Sequence, residues 1–232
     1  MIDAGCHIEI LRDSGVFGAR DEEALLPIAR VAAYRTLRTG DYLFHQGEPC
    51  SAMFLLVTGA IKLVQRSSGR RERVVELVRP GEWFAESAVF CGNGYHASAC
   101  ALSDTQVLGV PAVALGRFLR QRPGLAVALL HRLSRRAESA VQQMSDLCTR
   151  TAEQRVAAYL LEGYEGDGCA YNVPDGPHSR ADLASLLAVT PETLSRILQR
   201  IRRLGLIEKV DKELLVRQPE SLARMSLGQP PN

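Results

Sequence analysis

The sequence predicts an α+β chain: helix first, then a run of short strands, one long helix, and a pair of short helices with a hairpin behind them. Three observations carry this. Between Thr36 and Val110, short alternating segments are cut by Gly, Pro, Asn and Asp, the texture of a small β-barrel. From Ala126 to Leu147, apolar residues recur four and three apart without a break, the seam of a two-stranded coiled coil. From Ser179 to Arg203, two helical patterns flank a tight turn.

The chain has 232 residues, enough for two modest domains. Its composition, 46% apolar and 23% charged, is that of an ordinary globular protein, and a net charge of +2 is too mild to argue a nucleic-acid partner by itself. No apolar run approaches the roughly 18 residues a membrane span needs. Asp3 and Glu9 do not suit a signal peptide, so a cytoplasmic location is expected, with no membrane partner. The six cysteines (Cys6, Cys50, Cys91, Cys100, Cys148, Cys169) are scattered, with no C-x-x-C pair, and read as free thiols. That argues against a zinc ribbon. With only Cys6 near the start, it also argues against an N-terminal iron–sulfur cluster. No nucleophile elbow, P-loop, zinc signature or Gly-rich dinucleotide turn is present, so an enzyme is not expected.

Residues Ile8 to Arg35 read as helical, with Leu11, Phe17, Leu25, Leu26, Ile28 and Val31 facing inward. In the barrel region, Met53 to Val57, Ile61 to Val64 and Val74 to Val78 read as strands, with Ser67-Ser68-Gly69-Arg70 as a polar turn. Glu82 to Phe90 reads as a short helix or elbow, and Ala97 to Val110 as closing strand. Helix resumes near Pro111. The seam is Ala126, Leu130, Leu133, Ala137, Ala140, Met144 and Leu147, with Arg132, Arg135, Arg136, Glu138 and Gln142 on the opposite face. The strict repeat favours a homodimer over a single helix packed on its own domain. Thr151 to Glu162 forms a further helix, and Gly163 to Pro177 a connection. The expected parts are a barrel domain at 1–122, a dimerisation helix at 123–150 and a winged helix-turn-helix at 151–232.

Within the last part, Ser179 caps a short helix from Arg180 to Leu187, and Ala188-Val189-Thr190 is the turn. Thr190 caps the second helix and Pro191 takes its first position. Leu194, Ile197, Leu198, Ile201 and Leu204 form one apolar stripe. Glu192, Ser195 and Arg196 lie off that stripe in the first two turns. Between Thr190 and Lys209, five basic residues (Arg196, Arg200, Arg202, Arg203, Lys209) stand against Glu192 and Glu208, a local +3. A basic second helix of this kind suits a DNA major groove. Arg196 can fork onto guanine O6 and N7, Glu192 can accept from a cytosine amino group, and Ser195 can meet a thymine edge or a phosphate. Ser179, Arg180, Thr190, Thr193 and Arg200 complete the expected contact set with double-stranded DNA. Leu206 to Lys209 and Leu214 to Arg217 read as the strands of a wing, and Ser226 to Asn232 as a frayed end.

The order of barrel, long helix and winged helix-turn-helix resembles the Crp/Fnr family of bacterial transcription regulators over nearly the whole chain. Gly40-Asp41-Tyr42-Leu43-Phe44-His45-Gln46-Gly47-Glu48 resembles the family's opening barrel signature. Pro80-Gly81-Glu82-Trp83-Phe84-Ala85-Glu86 resembles the segment that builds its effector pocket. Glu192-x-x-Ser195-Arg196 resembles the reading motif of the Fnr branch, which recognises a TTGAT half-site and its inverted copy. The resemblance implies base contacts by those three residues, an effector-responsive cyclic-nucleotide-binding-like barrel, a homodimer, and RNA polymerase as a further partner.

The resemblance also frames the effector. Phe84, Glu86, Ser87 and His96 are the expected pocket residues. Cyclic-AMP members carry an Arg-Ser pair for the phosphate, where this chain reads His96-Ala97, and a Thr-Ser pair for adenine, where it reads Ala140-Val141. Without that arginine a buried phosphate loses its main partner, which argues against cyclic AMP. Phe84-Ala85-Glu86, a pocket without arginine and the recognition helix resemble the Dnr-type subgroup, whose members respond to nitric oxide through haem and act as activators of denitrification genes. His96 is then the expected axial ligand to haem iron, with His131 as a second candidate and His45 expected at the surface. Glu86 is expected to be a structural carboxylate bonded within the elbow. Three alternatives stay open: a cyclic-nucleotide-dependent regulator of the same fold, a thiol-redox regulator using Cys91 and Cys100, and a ligand-binding dimer that acts on a protein partner without DNA.

Overall fold

Leu11, Leu25 and Ile28 recur at helical spacing, and helices α1 (Ala4–Asp13) and α2 (Glu22–Ala29) turn all three into a core. The computed structural model describes residues 4–14, 22–66, 72–162, 177–210 and 213–230. Phe17, the turn Ser67 to Arg70 and the connection from Gly163 to Gly176 lie outside the described residues. The helix predicted up to Arg35 ends earlier. His7 contacts the Ala29 carbonyl through Nδ1 at 2.9 Å where α2 stops, Val31 is exposed, and the chain turns into strand β1 (Ala33–Leu37). Pairing along a neighbouring strand gives that backbone partners which a longer helix would otherwise supply.

Seven more strands follow: β2 (Tyr42–Phe44), β3 (Ala52–Thr58), β4 (Ile61–Arg66), β5 (Glu72–Val78), β6 (Trp83–Phe84), β7 (Ser98–Ala101) and β8 (Thr105–Pro111). They form two four-stranded antiparallel sheets, ordered β1-β8-β3-β6 and β2-β7-β4-β5. β3 shows why its sequence is apolar throughout rather than alternating. Met53 and Leu55 face a cluster shared with the helices, while Phe54 and Leu56 face the space between the sheets. That space is filled by Phe44, Phe54, Phe84 and Tyr95, with the Phe44 and Tyr95 rings stacked at 3.7 Å.

The elbow resolves into β6, a left-handed Ala85 (φ 67°) and helix α3 (Glu86–Cys91). Helix α4 (Ala112–Gln121) stops at Arg122, whose extended backbone precedes Pro123, and helix α5 (Pro123–Thr149) begins there. Leu129 of α5 is buried with Leu115 and Phe118, and Ala126 and Leu133 lean on the same cluster. The predicted seam is therefore divided. Ala126 and Leu133 belong partly to their own domain, and the exposed apolar stripe runs through Val127, Leu130, Ala137, Val141 and Met144. Ala140 is exposed beside that stripe, and the side chain of Leu147 lies outside the described residues. The shift arises because 3.6 residues per turn let a seven-residue repeat serve two adjoining faces of one helix.

On the face opposite the predicted seam, Arg135, Glu138 and Gln142 are exposed, whereas Arg132 and Arg136 are half-buried. Arg136 reaches from α5 to Glu86, which is only 2% exposed, donating to Oε2 at 2.8 Å and Oε1 at 2.9 Å. It also pairs with Glu76 of β5 and donates to the Trp83 carbonyl at 3.3 Å. Arg132 approaches the same carboxylate at 3.7 Å. Two arginines and two glutamates thus balance in charge, as burial of a carboxylate requires. Burial pushes Glu76 above the usual carboxylate range, against the pull of Arg136. Burial also works against the Arg136 charge, but Glu76 and Glu86 outweigh it and its pKa rises.

The chain divides into two compact units, residues 1–138 and 139–232, and the boundary falls within α5. In the second unit α6 (Ala152–Glu162), α7 (Pro177–Leu186) and α8 (Pro191–Arg203) are followed by the hairpin β9 (Ile207–Val210) and β10 (Glu213–Val216) and by helix α9 (Pro219–Ser226). α9 precedes the expected frayed end and reaches into it only at Ser226. Leu222 and Met225 join Val156, Leu160, Leu194 and Ile201 in one core, and Ser226 is itself buried. Val156 and Leu160 of α6 share that core with Leu222 and Met225 of α9.

Removing Arg136 should strand a buried carboxylate. Arg136→Met is expected to lower stability by about 3 kcal/mol in urea unfolding, and pairing it with Glu86→Gln should recover part of that loss because the stranded charge is gone.

Candidate nucleic-acid interface and effector pocket

The second helix of the pair is built as its sequence implies. Thr190 is extended (φ −81°, ψ 153°) and its hydroxyl accepts from the Thr193 N–H at 3.2 Å, with Pro191 next in line. Leu194, Ile197 and Ile201 are buried and Leu198 is partly so. Leu204 is a correction to the stripe: it is 44% exposed, because α8 ends at Arg203 and Gly205 turns the chain away at φ +71°. Burial of that stripe leaves Glu192, Ser195, Arg196, Gln199, Arg200, Arg202 and Arg203 exposed. Positions 192, 195, 196 and 199 are spaced to share one face. The Glu192 carboxylate is held below its ordinary range by its own backbone N–H and by the Thr190 hydroxyl, so it stands ionised at the positive end of the helix.

Other predicted contact residues take different places. Ser179 does not cap α7, which begins two residues earlier at Pro177; its side chain lies outside the described residues. Arg180 is exposed on α7. Thr193 serves the cap of α8 through its N–H and its hydroxyl. Arg200 pairs with Glu153 of α6 at 3.1 Å. In the hairpin, Arg217 pairs with Glu208 at 2.7 Å.

The turn between α7 and α8 contains a residue that sequence periodicity does not reveal. Ala188 is left-handed (φ 52°) and closes α7 with its neighbour: its N–H bonds to Ser185 O and that of Val189 to Ala184 O. Two carbonyls at this turn, Leu187 and Ala188, accept from the Arg155 guanidinium of α6 at 3.0 and 3.3 Å. Arg155 lies 32 residues upstream of Leu187, and no local pattern links them.

In the first unit, Phe84 and Glu86 are buried. Glu86 is a structural carboxylate, but its partners come from α5 rather than the elbow. Arg132 and Arg136 reach the elbow from the long helix and donate to the Trp83 carbonyl, while positions 96 and 97 themselves carry no arginine. Ser87 and His96 are corrections, for both are exposed, and His96 offers its backbone carbonyl to Gln65. A haem iron needs an axial donor inside an enclosed cavity. His96 at the surface does not provide one, and the interior between the sheets is packed with aromatic rings, so these residues do not fit a haem held by His96. His131 is exposed on α5, and His45 is exposed and stacked on Tyr42. Cys91 is exposed, whereas Cys100 is buried in β7 with its thiol directed at the Gly40 carbonyl.

A non-glycine residue in the left-handed region costs roughly 1–2 kcal/mol. Ala188→Gly is therefore expected to hold or raise stability by up to about 1 kcal/mol, and Ala188→Val to lower it by about 2 kcal/mol, both read by urea unfolding.

Residues 34–122 match the cyclic nucleotide-binding domain family, and residues 154–225 the Crp-like helix-turn-helix domain family. Over 221 residues the chain is 24% identical to the CRP-like cAMP-activated global transcriptional regulator of Mycobacterium tuberculosis, covering 93% of this chain and 98% of that one. Over 198 residues it is 28% identical to the transcriptional activator protein Anr of Pseudomonas aeruginosa, covering 84% and 81%. Among solved structures, FixK2 from Bradyrhizobium japonicum shares 25% identity with a TM-score of 0.75, covering 84% of this chain and 97% of that one. With these two domains joined in this order, the chain belongs to the Crp/Fnr family of DNA-binding transcription regulators, which are not enzymes.

Proposed function

We propose that the protein binds a TTGAT-type inverted repeat as a homodimer and activates transcription in response to a redox or gas signal. The observation that carries the DNA reading is the face of α8. A capped helix buries one apolar stripe and leaves a carboxylate, a hydroxyl and a guanidinium exposed together near its N-terminal end. Glu192, Ser195 and Arg196 are the base-contacting residues in this reading, and Arg202 and Arg203 supply phosphate contacts. Ser179, Arg180, Thr190, Thr193 and Arg200 are secondary contacts, and Arg200 must leave Glu153 to reach a phosphate. The exposed stripe of α5 is the surface through which two copies pair, with Leu130, Ala137 and Met144 at its centre. Pairing sets two reading helices about one DNA turn, some 34 Å, apart. Activation through contact with RNA polymerase follows the kinship with Anr, a transcriptional activator.

For the signal, the likeness of Phe84-Ala85-Glu86 and the reading motif to the Dnr-type subgroup puts nitric oxide first. His96 is exposed and is not a haem ligand in this reading. Control by cyclic AMP is the second reading, favoured by the match of residues 34–122 to the cyclic nucleotide-binding domain. Against it, Glu86 is already engaged by Arg136, and the phosphate position carries an exposed histidine.

A gel-shift with a TTGAT-N4-ATCAA duplex tests the reading. Arg196→Ala is expected to cost about 1–3 kcal/mol on this operator and to relax preference at one guanine, with little change on random DNA. Equal loss on both duplexes would remove Arg196 from the reading role. In the same assay without oxygen, a nitric-oxide donor should change operator affinity and cyclic AMP should not.

A further inference from the structure

The start of α6 is held by a reciprocal cap. Thr151 Oγ1 accepts from the Gln154 N–H at 3.3 Å, and Gln154 Oε1 accepts from the Thr151 N–H at 2.7 Å. Arg155 is the next residue. Its guanidinium donates to three carbonyls from two separate places in the chain: Arg150 O at 2.7 Å through Nη1, Leu187 O at 3.0 Å through Nε, and Ala188 O at 3.3 Å through Nη2. Arg150 is the first residue after α5, and Leu187 and Ala188 form the turn that launches α8. A planar fork of five donors can meet three fixed acceptors at once; a lysine ammonium is a point charge on a flexible stem and cannot hold the same geometry. Two of the acceptors lie at the carbonyl end of α7, where the helix dipole favours a cation. The left-handed Ala188 is a conformation that persists only where its surroundings hold it, and the guanidinium is part of those surroundings. Two residues before Arg155, Glu153 reaches Arg200 on α8 at 3.1 Å. The first turns of α6 thus touch both the turn ahead of α8 and the far half of α8.

We propose that Arg155 is the positioning residue of the DNA-reading helix: it fastens the α7–α8 turn to the joint that follows α5, so the orientation of α8 follows that joint. Arg155 makes no base contact in this scheme. It decides whether Glu192, Ser195 and Arg196 meet their bases together, and so acts on specificity rather than on general attraction to DNA. The proposal rests on the reading of α8 as the DNA-contacting helix.

The test uses the full-length protein, with Arg155→Lys and Arg155→Met as variants. Arg155→Lys keeps the charge and stem, and it carries the test if the methionine variant fails to fold. Hydrogen exchange follows the Ala188 and Val189 amides, and binding is measured at one salt concentration to the TTGAT-N4-ATCAA duplex and to a scrambled duplex. The expected result is faster exchange at the turn and unchanged protection of α8. Operator affinity should fall about tenfold or more, with affinity for the scrambled duplex held within about twofold. Unchanged exchange at the turn would overturn the clasp. A loosened turn with the operator preference intact, or with both duplexes weakened alike, would overturn the positioning role. If the unmodified protein itself failed to prefer the operator, the reading of α8 would fall, and the positioning role with it, while the exchange result would still decide the clasp.

Discussion

A carboxylate that is almost wholly withdrawn from water must be neutralised where it stands. Glu86 is in that position, and its neutralising groups come from a helix some fifty residues away in the chain. Arg136 and Arg132 can reach it only if the first half of α5 lies along the sheets with one face inward. That requirement fixes the rotation of α5 about its own axis. Leu129 then enters the core, and Val127, Leu130, Val141 and Met144 are left outside. The same guanidinium serves Glu76 on β5 and the Trp83 carbonyl, so one residue joins strand, elbow and long helix. An effector entering beside Phe84 would meet a carboxylate already engaged. Any signal that acts there must compete with Arg136 or work through it.

The second unit depends on a different balance. α8 buries Leu194, Ile197 and Ile201 against α6 and α9, and this packing makes its remaining surface polar and basic by default. Burial orients the helix only about its axis. Its direction depends on the turn before it, and there the backbone is strained at Ala188 and its carbonyls are satisfied by Arg155. The apolar effect therefore supplies most of the stability, while a few charge-assisted hydrogen bonds decide the angle at which the polar face is presented.

Elements governed by neighbours in sequence are legible in the chain itself. The Thr190 cap, Pro191 and the 194-197-201 stripe are short-range facts, and they stand in the fold as the sequence implies. The strands between Thr36 and Val110 are visible because turn residues punctuate them. Expectation and fold part where distant partners decide. The helix predicted to Arg35 loses its end to pairing with β8. Arg132 and Arg136 lie opposite the predicted seam, yet Glu86 claims them, and His96, expected in the pocket, is exposed. The α9 helix escapes a sequence reading because two inward residues, Leu222 and Met225, show too little periodicity to outweigh a polar C-terminal stretch.

By itself, the sequence determined the succession of barrel, long helix and reading pair, and the residues exposed at the start of α8. Caps, turns and apolar spacing act over a few residues and need no knowledge of the rest of the chain. Tertiary structure alone decided which face of α5 is inward, which carboxylate is buried, and which arginine holds the turn ahead of α8. Each of those depends on a charge or a carbonyl finding its partner across thirty to fifty residues, and no local rule of spacing can announce such a meeting.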